Sequence, residues 1–202
     1  MSRTRLHIGC GPQLLPGWTN VDNQPYPGID QVLDVTIGLP FRDVEYIYAE
    51  HFIEHLSFDD GLNFLRECRR ILAADGVLRL STPNLDWVMD THYRPQSWND
   101  DGDAVDASFR INRAFRGWGH QFLFNRQSLE TTLRLAGFGN VESCAYGESR
   151  HEALRGIERH ETYADSPALP HILVVEASGI GADTSERTAA ALADYRSAVD
   201  TV

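Results

Sequence analysis

The feature that most limits what this chain can fold into is a series of short apolar runs, each closing on glycine, an acid or proline. Leu6-His7-Ile8 runs into Gly9-Cys10-Gly11-Pro12. Trp18-Thr19-Asn20-Val21 ends on Asp22, and Gln31-Val32-Leu33 on Asp34-Val35. Val44–Tyr48 leads to Ala49-Glu50-His51, and Gly76–Ser81 to Thr82-Pro83-Asn84. Between the last two runs Phe58, Leu62, Leu65, Arg69 (by its stem) and Leu72 recur at helical spacing, with Phe64, Cys68 and Ile71 widening the apolar face. Ser57 predicts the N-cap, Asp59 and Asp60 suit the first turn, and Asp75-Gly76 predicts the stop. Strands alternating with a helix indicate a mostly parallel α/β sheet. Ligands of such sheets gather beyond the carboxyl ends of the strands. The Gly9–Gly11 loop, Asp22, Asp34 and Glu50-His51 are therefore expected on one edge.

Residues 84–120 break this rhythm. They are rich in Trp, Asp, Asn and Arg, and read as an inserted lid with one or two helices. Regularity returns in a helix over 126–137, with Leu129, Leu133 and Ala136 inward and Gly137 as stop. Residues 140–145 and 171–177 predict a final antiparallel pair. The domain is expected over 3–178. Residues 179–202 read as a polar, Ala-rich tail, helical or disordered; a helix over 186–199, capped by Asp183 or Ser185, would have a thin apolar face, as in a partner-dependent helix.

With 18 basic and 29 acidic side chains the net charge is −11. That argues against broad, charge-driven nucleic-acid binding. Every basic residue is Arg, which excludes a lysine Schiff base and a phosphate-loop lysine. No stretch approaches the ~18 unbroken apolar residues of a membrane span, and no signal-peptide run opens the chain. Cys10, Cys68 and Cys144 are odd in number and far apart, as in reduced thiols of a cytoplasmic protein.

Gly9-x-Gly11 lets backbone come close to a ligand, because neither residue carries a Cβ. Pro12 follows, and nine residues separate Gly11 from Val21, so no crossover helix fits between the first two strands. This disfavours a nicotinamide-binding site, which needs that helix. Asp22 at a strand end suits a ribose diol, since a carboxylate accepts from both hydroxyls. Asp34-Val35 suits an adenine edge.

Leu6–Gly11 together with Gly17–Asp22 resembles the opening of class I S-adenosylmethionine-dependent methyltransferases, and within them a small bacterial, type 11-like subgroup. Leu39-Pro40-Phe41, Glu50–Leu56, Gly76–Pro83, Gly119–Phe124 and Ala136-Gly137-Phe138 continue the likeness in order, so that it spans about residues 5–177. The resemblance implies a Rossmann-like sheet with its last strand antiparallel. It implies that Gly9, Cys10 and Gly11 hold the methionine part of the cofactor, Asp22 the ribose, and Asp34 with Val35 the adenine, with Glu50 beside them. Where that family often has an acid, this chain has His7.

His51, Glu54 and His55 fall at i, i+3 and i+4, one face of a helix if the helix begins near His51. Two imidazoles and a carboxylate suit a divalent ion such as Mg, Mn, Zn or Fe. The order His-x-x-Glu-His also matches an inverted zinc-hydrolase motif. The segment resembles metal-assisted O-methyltransferases of ubiquinone synthesis and small-RNA ends, by which Glu54, His55 and the later His120 would be ligands and His51 would replace a glutamate. Three readings of the four stand open: a metal site that lowers an acceptor hydroxyl's pKa, a metal-free general base, or a structural brace. Arg110, Arg113 and Trp118 are candidates for an anionic or sugar-like acceptor, with Tyr93 and Trp98 nearby. The expected activity is methyl transfer to an oxygen of a small molecule or glycan. The alternatives are a non-catalytic cofactor-binding partner protein, a metallohydrolase, and an RNA 2′-O-methyltransferase, the last needing a basic track that is absent.

Overall fold

The computed structural model describes residues 3–93, 100–160, 168–181 and 186–199. Seven strands form one sheet: β1 (Thr4–Ile8), β2 (Thr19–Asp22), β3 (Gln31–Val32), β4 (Val44–Glu50), β5 (Leu72–Pro83), β6 (Asn140–Cys144) and β7 (Ile172–Ser178). Their order is β3-β2-β1-β4-β5-β7-β6. The first five run parallel, and β7 lies antiparallel to both β5 and β6. The α/β sheet with an antiparallel end is thus as the sequence predicts.

Helix α1 (Phe58–Ile71) begins where Ser57 accepts the Asp60 amide at 3.2 Å. It ends four residues earlier than Asp75-Gly76 suggests. Leu72 and Ala73 are buried and open β5, so Asp75-Gly76 is an irregularity inside that strand. The pairing jumps there: Val44 pairs with Leu72, but Tyr46 pairs with Val77. A Cβ on Gly76 would stand 2.6 Å from the Val44 carbonyl oxygen, so the close approach of the two backbones requires glycine. The third strand is also shorter than expected. Asp34 accepts the Thr36 amide at 2.9 Å and turns Val35–Ile37 into a 3-10 turn.

The strands carry one apolar face and one polar face. Leu6, Ile8, Ile47, Ala49, Leu78, Leu80, Leu173, Val175 and Ala177 form the core with α1 and α4 (Arg126–Leu135). Helix α5 (Glu186–Val199) closes the same core. Leu192 and Tyr195 pack on it, Tyr195 meets Phe58 and Phe122 edge-on, and Arg196 pairs with Asp59. A thin apolar face predicts a tail or a partner-dependent helix; two well-placed side chains instead dock it on this chain's own core. Asp183 and Ser185 lie outside the described residues.

The alternate side chains, His7, Tyr46, Tyr48, Arg79 and Glu176, point to the opposite face. No α-helix among the described residues covers it. Its cover is two loops. Residues 10–18 replace the first crossover helix and are tied down by Asn20, which accepts the Leu15 amide and donates to the Leu15 and Trp18 carbonyls. Residues 145–160 lie over Tyr46 and Tyr48 and are anchored by charge. Arg79 Nε donates to Glu158 at 2.5 Å and its Nη1 donates to Glu176 at 2.6 Å, with all three side chains at most 3% exposed. Tyr146 adds a hydrogen bond from its hydroxyl to the His160 carbonyl.

The lid region holds α2 (Leu85–Val88), a π-helical turn (Met89–Tyr93) and α3 (Asp101–Arg116), capped by Asp100. Trp98 lies outside the described residues.

Removing one member of the buried triad strands a charge away from water. Glu158→Ala is expected to cost about 3–5 kcal/mol in urea unfolding, and a loss below about 1 kcal/mol would show that residues 145–160 are held by packing instead. Burial lowers the His7 pKa below its ordinary 6.5. The unfolded chain therefore takes up that proton more readily, and the His7 contribution to stability falls as pH drops below about 6.5. The urea midpoint of His7→Gln should change less than that of the parent between pH 7.5 and about pH 5.

Candidate functional site

The carboxyl ends of β1, β2 and β4 meet at two adjoining cavities. The first, about 560 Å³, is lined by Gly9, Asp22, Leu33, Asp34, Val35, Phe52 and Gln121 among others. The second, about 750 Å³, is lined by Gly9, Cys10, Gly11, Glu50, Pro83 and Trp118, and by five histidines: His51, His55, His120, His160 and His171. Gly9, His51 and His55 border both.

The glycine loop is built for close approach. Gly9 and Gly11 have φ of +64° and +51°. A Cβ on Gly9 would come within 2.3 Å of the Phe52 ring, whereas one on Gly11 would project into open space. Asp22 braces the loop by accepting the Gly11 amide at 2.9 Å on Oδ2 and the Gln24 amide at 3.0 Å on Oδ1. Each oxygen keeps lone pairs for a ligand. Asp34 spends Oδ1 on Thr36 and has its pKa lowered by those hydrogen bonds. Burial pushes the Cys10 thiol up to about 11, so it stands neutral beside the loop. Glu50 faces the second cavity while its Oε1 accepts the amides of Arg159 and His160 at 2.9 and 3.1 Å. The carboxylate is thereby a clamp on the loop that covers the polar face.

His51, Glu54 and His55 do not share an α-helical face. His51 has φ of +45°, and Ile53–His55 is a single 3-10 turn ahead of α1. The reason lies in β4: the His51 amide still bonds the Ser81 carbonyl at 2.9 Å, which holds it at the strand end. The single helical face that would have aligned the three as metal ligands is therefore not realised. Three of the four predicted residues nevertheless converge, with ligand atoms of Glu54, His55 and His120 within 4.8 Å of one another. His51 stands outside that trio. Its Nδ1 is 3.1 Å from Glu54 Oε1, and its ring packs on His160 at 3.9 Å between centroids.

Glu54 is the centre of this group. It is fully buried, and its Oε2 accepts the Thr82 hydroxyl at 3.0 Å. Its carbonyl accepts the Gln121 and Phe122 amides, which brings His120 to the cluster. His120 Nδ1 lies 2.8 Å from the Ala114 carbonyl. Donation there assigns the proton to Nδ1 and leaves the Nε2 lone pair free for a ligand or a proton.

The acceptor candidates divide. Trp118 lines the histidine-rich cavity and carries Arg113 over its ring at 5.7 Å. Arg110 is exposed on α3 and does not border either cavity. Sequence spacing assigns no role to Glu158 and His160 and does not single out His171. Glu158 pairs with Arg79 and so carries His160 to the cavity, whereas His171 reaches it from the position just before β7.

The family model for a methyltransferase domain matches residues 15–143. The glycine loop precedes that stretch. No curated protein sequence matches the chain significantly. Among solved structures, the apo form of the S-adenosylmethionine-dependent methyltransferase SibL aligns with a TM-score of 0.57 at 14% identity, covering 88% of this chain and 50% of its own. An S-adenosylmethionine-dependent methyltransferase from Clostridium acetobutylicum ATCC 824 aligns at 0.54 and 10% identity, covering 90% and 85%. PigF with S-adenosylhomocysteine aligns at 0.50 and 17%, covering 87% and 50%. The chain thus spans half the length of two of these structures, and at such identities they speak for the fold. No helix of the described residues is long and apolar enough to cross a membrane. From the matched domain, the strand order and the glycine loop, the chain belongs to the methyltransferase domain family, with the fold of the class I S-adenosylmethionine-dependent enzymes.

Proposed function

We propose that the chain transfers the methyl group of S-adenosylmethionine to a hydroxyl oxygen of a small molecule or glycan. The observation that carries this reading is the shared rim of the two cavities. A donor with its adenosine beside Asp22, Asp34 and Val35, and its methionine part over Gly9–Gly11, directs its methyl toward the histidine-lined cavity. The acceptor enters there, between Trp118 and His120.

The reaction is an in-line displacement, so the protein's task is to align donor and acceptor and remove one proton. The new bond joins acceptor oxygen to methyl carbon while the carbon–sulfur bond breaks and S-adenosylhomocysteine leaves as a neutral thioether. Glu54, His55 and His120 suit a divalent cation: one carboxylate and two neutral imidazoles, with the His120 ring oriented by a backbone carbonyl. A cation held there lowers the pKa of an acceptor hydroxyl. A metal-free reading is favoured by one observation: buried Glu54 lies against His51 Nδ1 and so can hold its ring as a general base. In the metal-free reading the His120 Nε2 lone pair is available to the acceptor, whereas with a cation bound it would be a ligand.

Calorimetric titration of S-adenosylhomocysteine into chelator-treated protein is expected to show binding. Gly9→Ala should weaken it about tenfold or more, because Phe52 must leave the cavity and the αL backbone is strained. Unchanged affinity in Gly9→Ala would remove the glycine loop from the cofactor site. His120→Ala should leave that affinity intact and lower turnover about 100-fold with an acceptor in hand. Loss of activity on chelation and its return with Mn²⁺ or Zn²⁺ supports the cation. Activity that ignores the chelator leaves the histidine base. A function that survives His120→Ala identifies a non-catalytic cofactor-binding protein.

A further inference from the structure

Helix α3 departs from the surface expected of an acidic protein. Of the nine exposed large apolar side chains among the described residues, four lie between residues 105 and 118: Val105 (51% exposed), Phe109 (72%), Phe115 (39%) and Trp118 (70%). Scattered apolar residues need no explanation, whereas a cluster of this kind marks an interaction surface. The charge around it is as uneven. From Ala107 to Leu129 the sequence has four arginines, Arg110, Arg113, Arg116 and Arg126, and no acid, within a chain of net charge −11. The acids of the helix, Asp101, Asp103 and Asp106, lie toward its start.

The helical period sorts these residues. Ala107 and Ala114 are buried and define the inward side. Val105, Phe109, Arg113 and Arg116 follow at i, i+4, i+8 and i+11, a single stripe on the outward side. Apolar side chains and arginines thus project together from a convex ridge, and Trp118 extends it to the rim of the histidine-lined cavity. This is the composition of a helix that lies in a membrane interface. Aromatic and aliphatic groups enter the headgroup boundary, and guanidinium groups reach phosphates on either side. A concave groove for a partner helix is not what the stripe presents.

We infer that α3 and Trp118 dock the domain on an anionic lipid surface. Charge selects both occupant and orientation. A bilayer with negative headgroups repels the rest of a chain at −11 and attracts the segment from Ala107 to Leu129. Docking in this pose brings the mouth of the second cavity to the interface, where an amphiphilic acceptor would present a hydroxyl to His120. The docking itself does not rest on the methyl-transfer reading, since lipid binding is measured without cofactor or acceptor.

The test is sedimentation of the full chain with vesicles of phosphatidylcholine alone and of a phosphatidylcholine–phosphatidylglycerol mixture, each at low and raised sodium chloride. The expected result is binding to the mixture, weakened by salt, with little binding to phosphatidylcholine. Phe109→Ser with Arg113→Gln and Arg116→Gln should reduce that binding about tenfold or more. These side chains are exposed, and circular dichroism checks the fold. Should the triple variant misfold, Arg113→Gln with Arg116→Gln serves alone. Ile180→Ser, which removes an exposed apolar group elsewhere, should bind as the parent does. Equal binding to both vesicle types, no binding to either, full binding by the arginine variant, or an equal loss in Ile180→Ser would each overturn the inference. Capture by immobilised polyglutamate with no vesicle binding would overturn it too, in favour of an acidic protein partner.

Discussion

Arg79 is fully buried in the middle of the sheet with Glu158 and Glu176 as its partners, and the loop of residues 145–160 over the polar sheet face depends on that arrangement. Neighbouring parallel strands in α/β domains are usually joined by crossover helices that bury both faces. Here the chain between β1 and β4 is too short for them. The face they would have covered is polar, and an apolar loop laid over it would bury the Arg79–Glu176 pair with no acceptor for Arg79 Nε. Glu158 resolves this by bringing a third charge into the interior. An ion triad of this kind is weak evidence for net stability. Its value lies in position: Glu158 is the acid of 145–160 that meets Arg79 in the interior, and that pair fixes where the loop lies on the sheet.

The site inherits that placement. Residues 159 and 160 follow Glu158 directly and place their amides on Glu50 at the end of β4. His160 is thereby set against His51, and the second cavity acquires a wall. On the opposite side Glu54 performs a similar task. Its side chain bonds Thr82 of β5, and its backbone carbonyl bonds the segment that carries His120. Two glutamates four residues apart therefore connect the strand ends to the loops on either side, Glu50 through its side chain and Glu54 through its side chain and its backbone carbonyl. A cavity assembled in this way keeps titratable groups close together. That is the condition under which imidazole and carboxylate act on an acceptor.

Much of the frame was legible in the chain itself. Short strands ending in Gly-x-Gly, Asp22 and Asp34 place the cofactor-side residues by simple geometry, because a parallel sheet aligns its carboxyl ends. The nine residues between Gly11 and Val21 already excluded a first crossover helix. The alternation of strands was legible but unread: Arg5 and His7 against Leu6 and Ile8, Tyr46 and Tyr48 against Ile47 and Ala49, Arg79 against Leu78 and Leu80. It announces one polar face, and hence loops rather than helices above it. The His51–His55 spacing misled for a local reason. Period alone does not say where a strand stops, and the bond from the His51 amide to Ser81 keeps β4 running one residue too far for a helix.

The sequence by itself determined the α/β class, the strand ends and the chemistry available at them, since these follow from local pattern and from the shape of a parallel sheet. Only the tertiary structure decided which of the eight histidines meet. His55 and His120 are 65 residues apart, joined through the amides that Glu54 accepts. His51 and His160 meet through Glu50 and the buried Arg79–Glu158 pair. Such contacts are set by long-range hydrogen bonds and by charge neutralisation in a dry interior, and neither leaves a periodic trace in the chain.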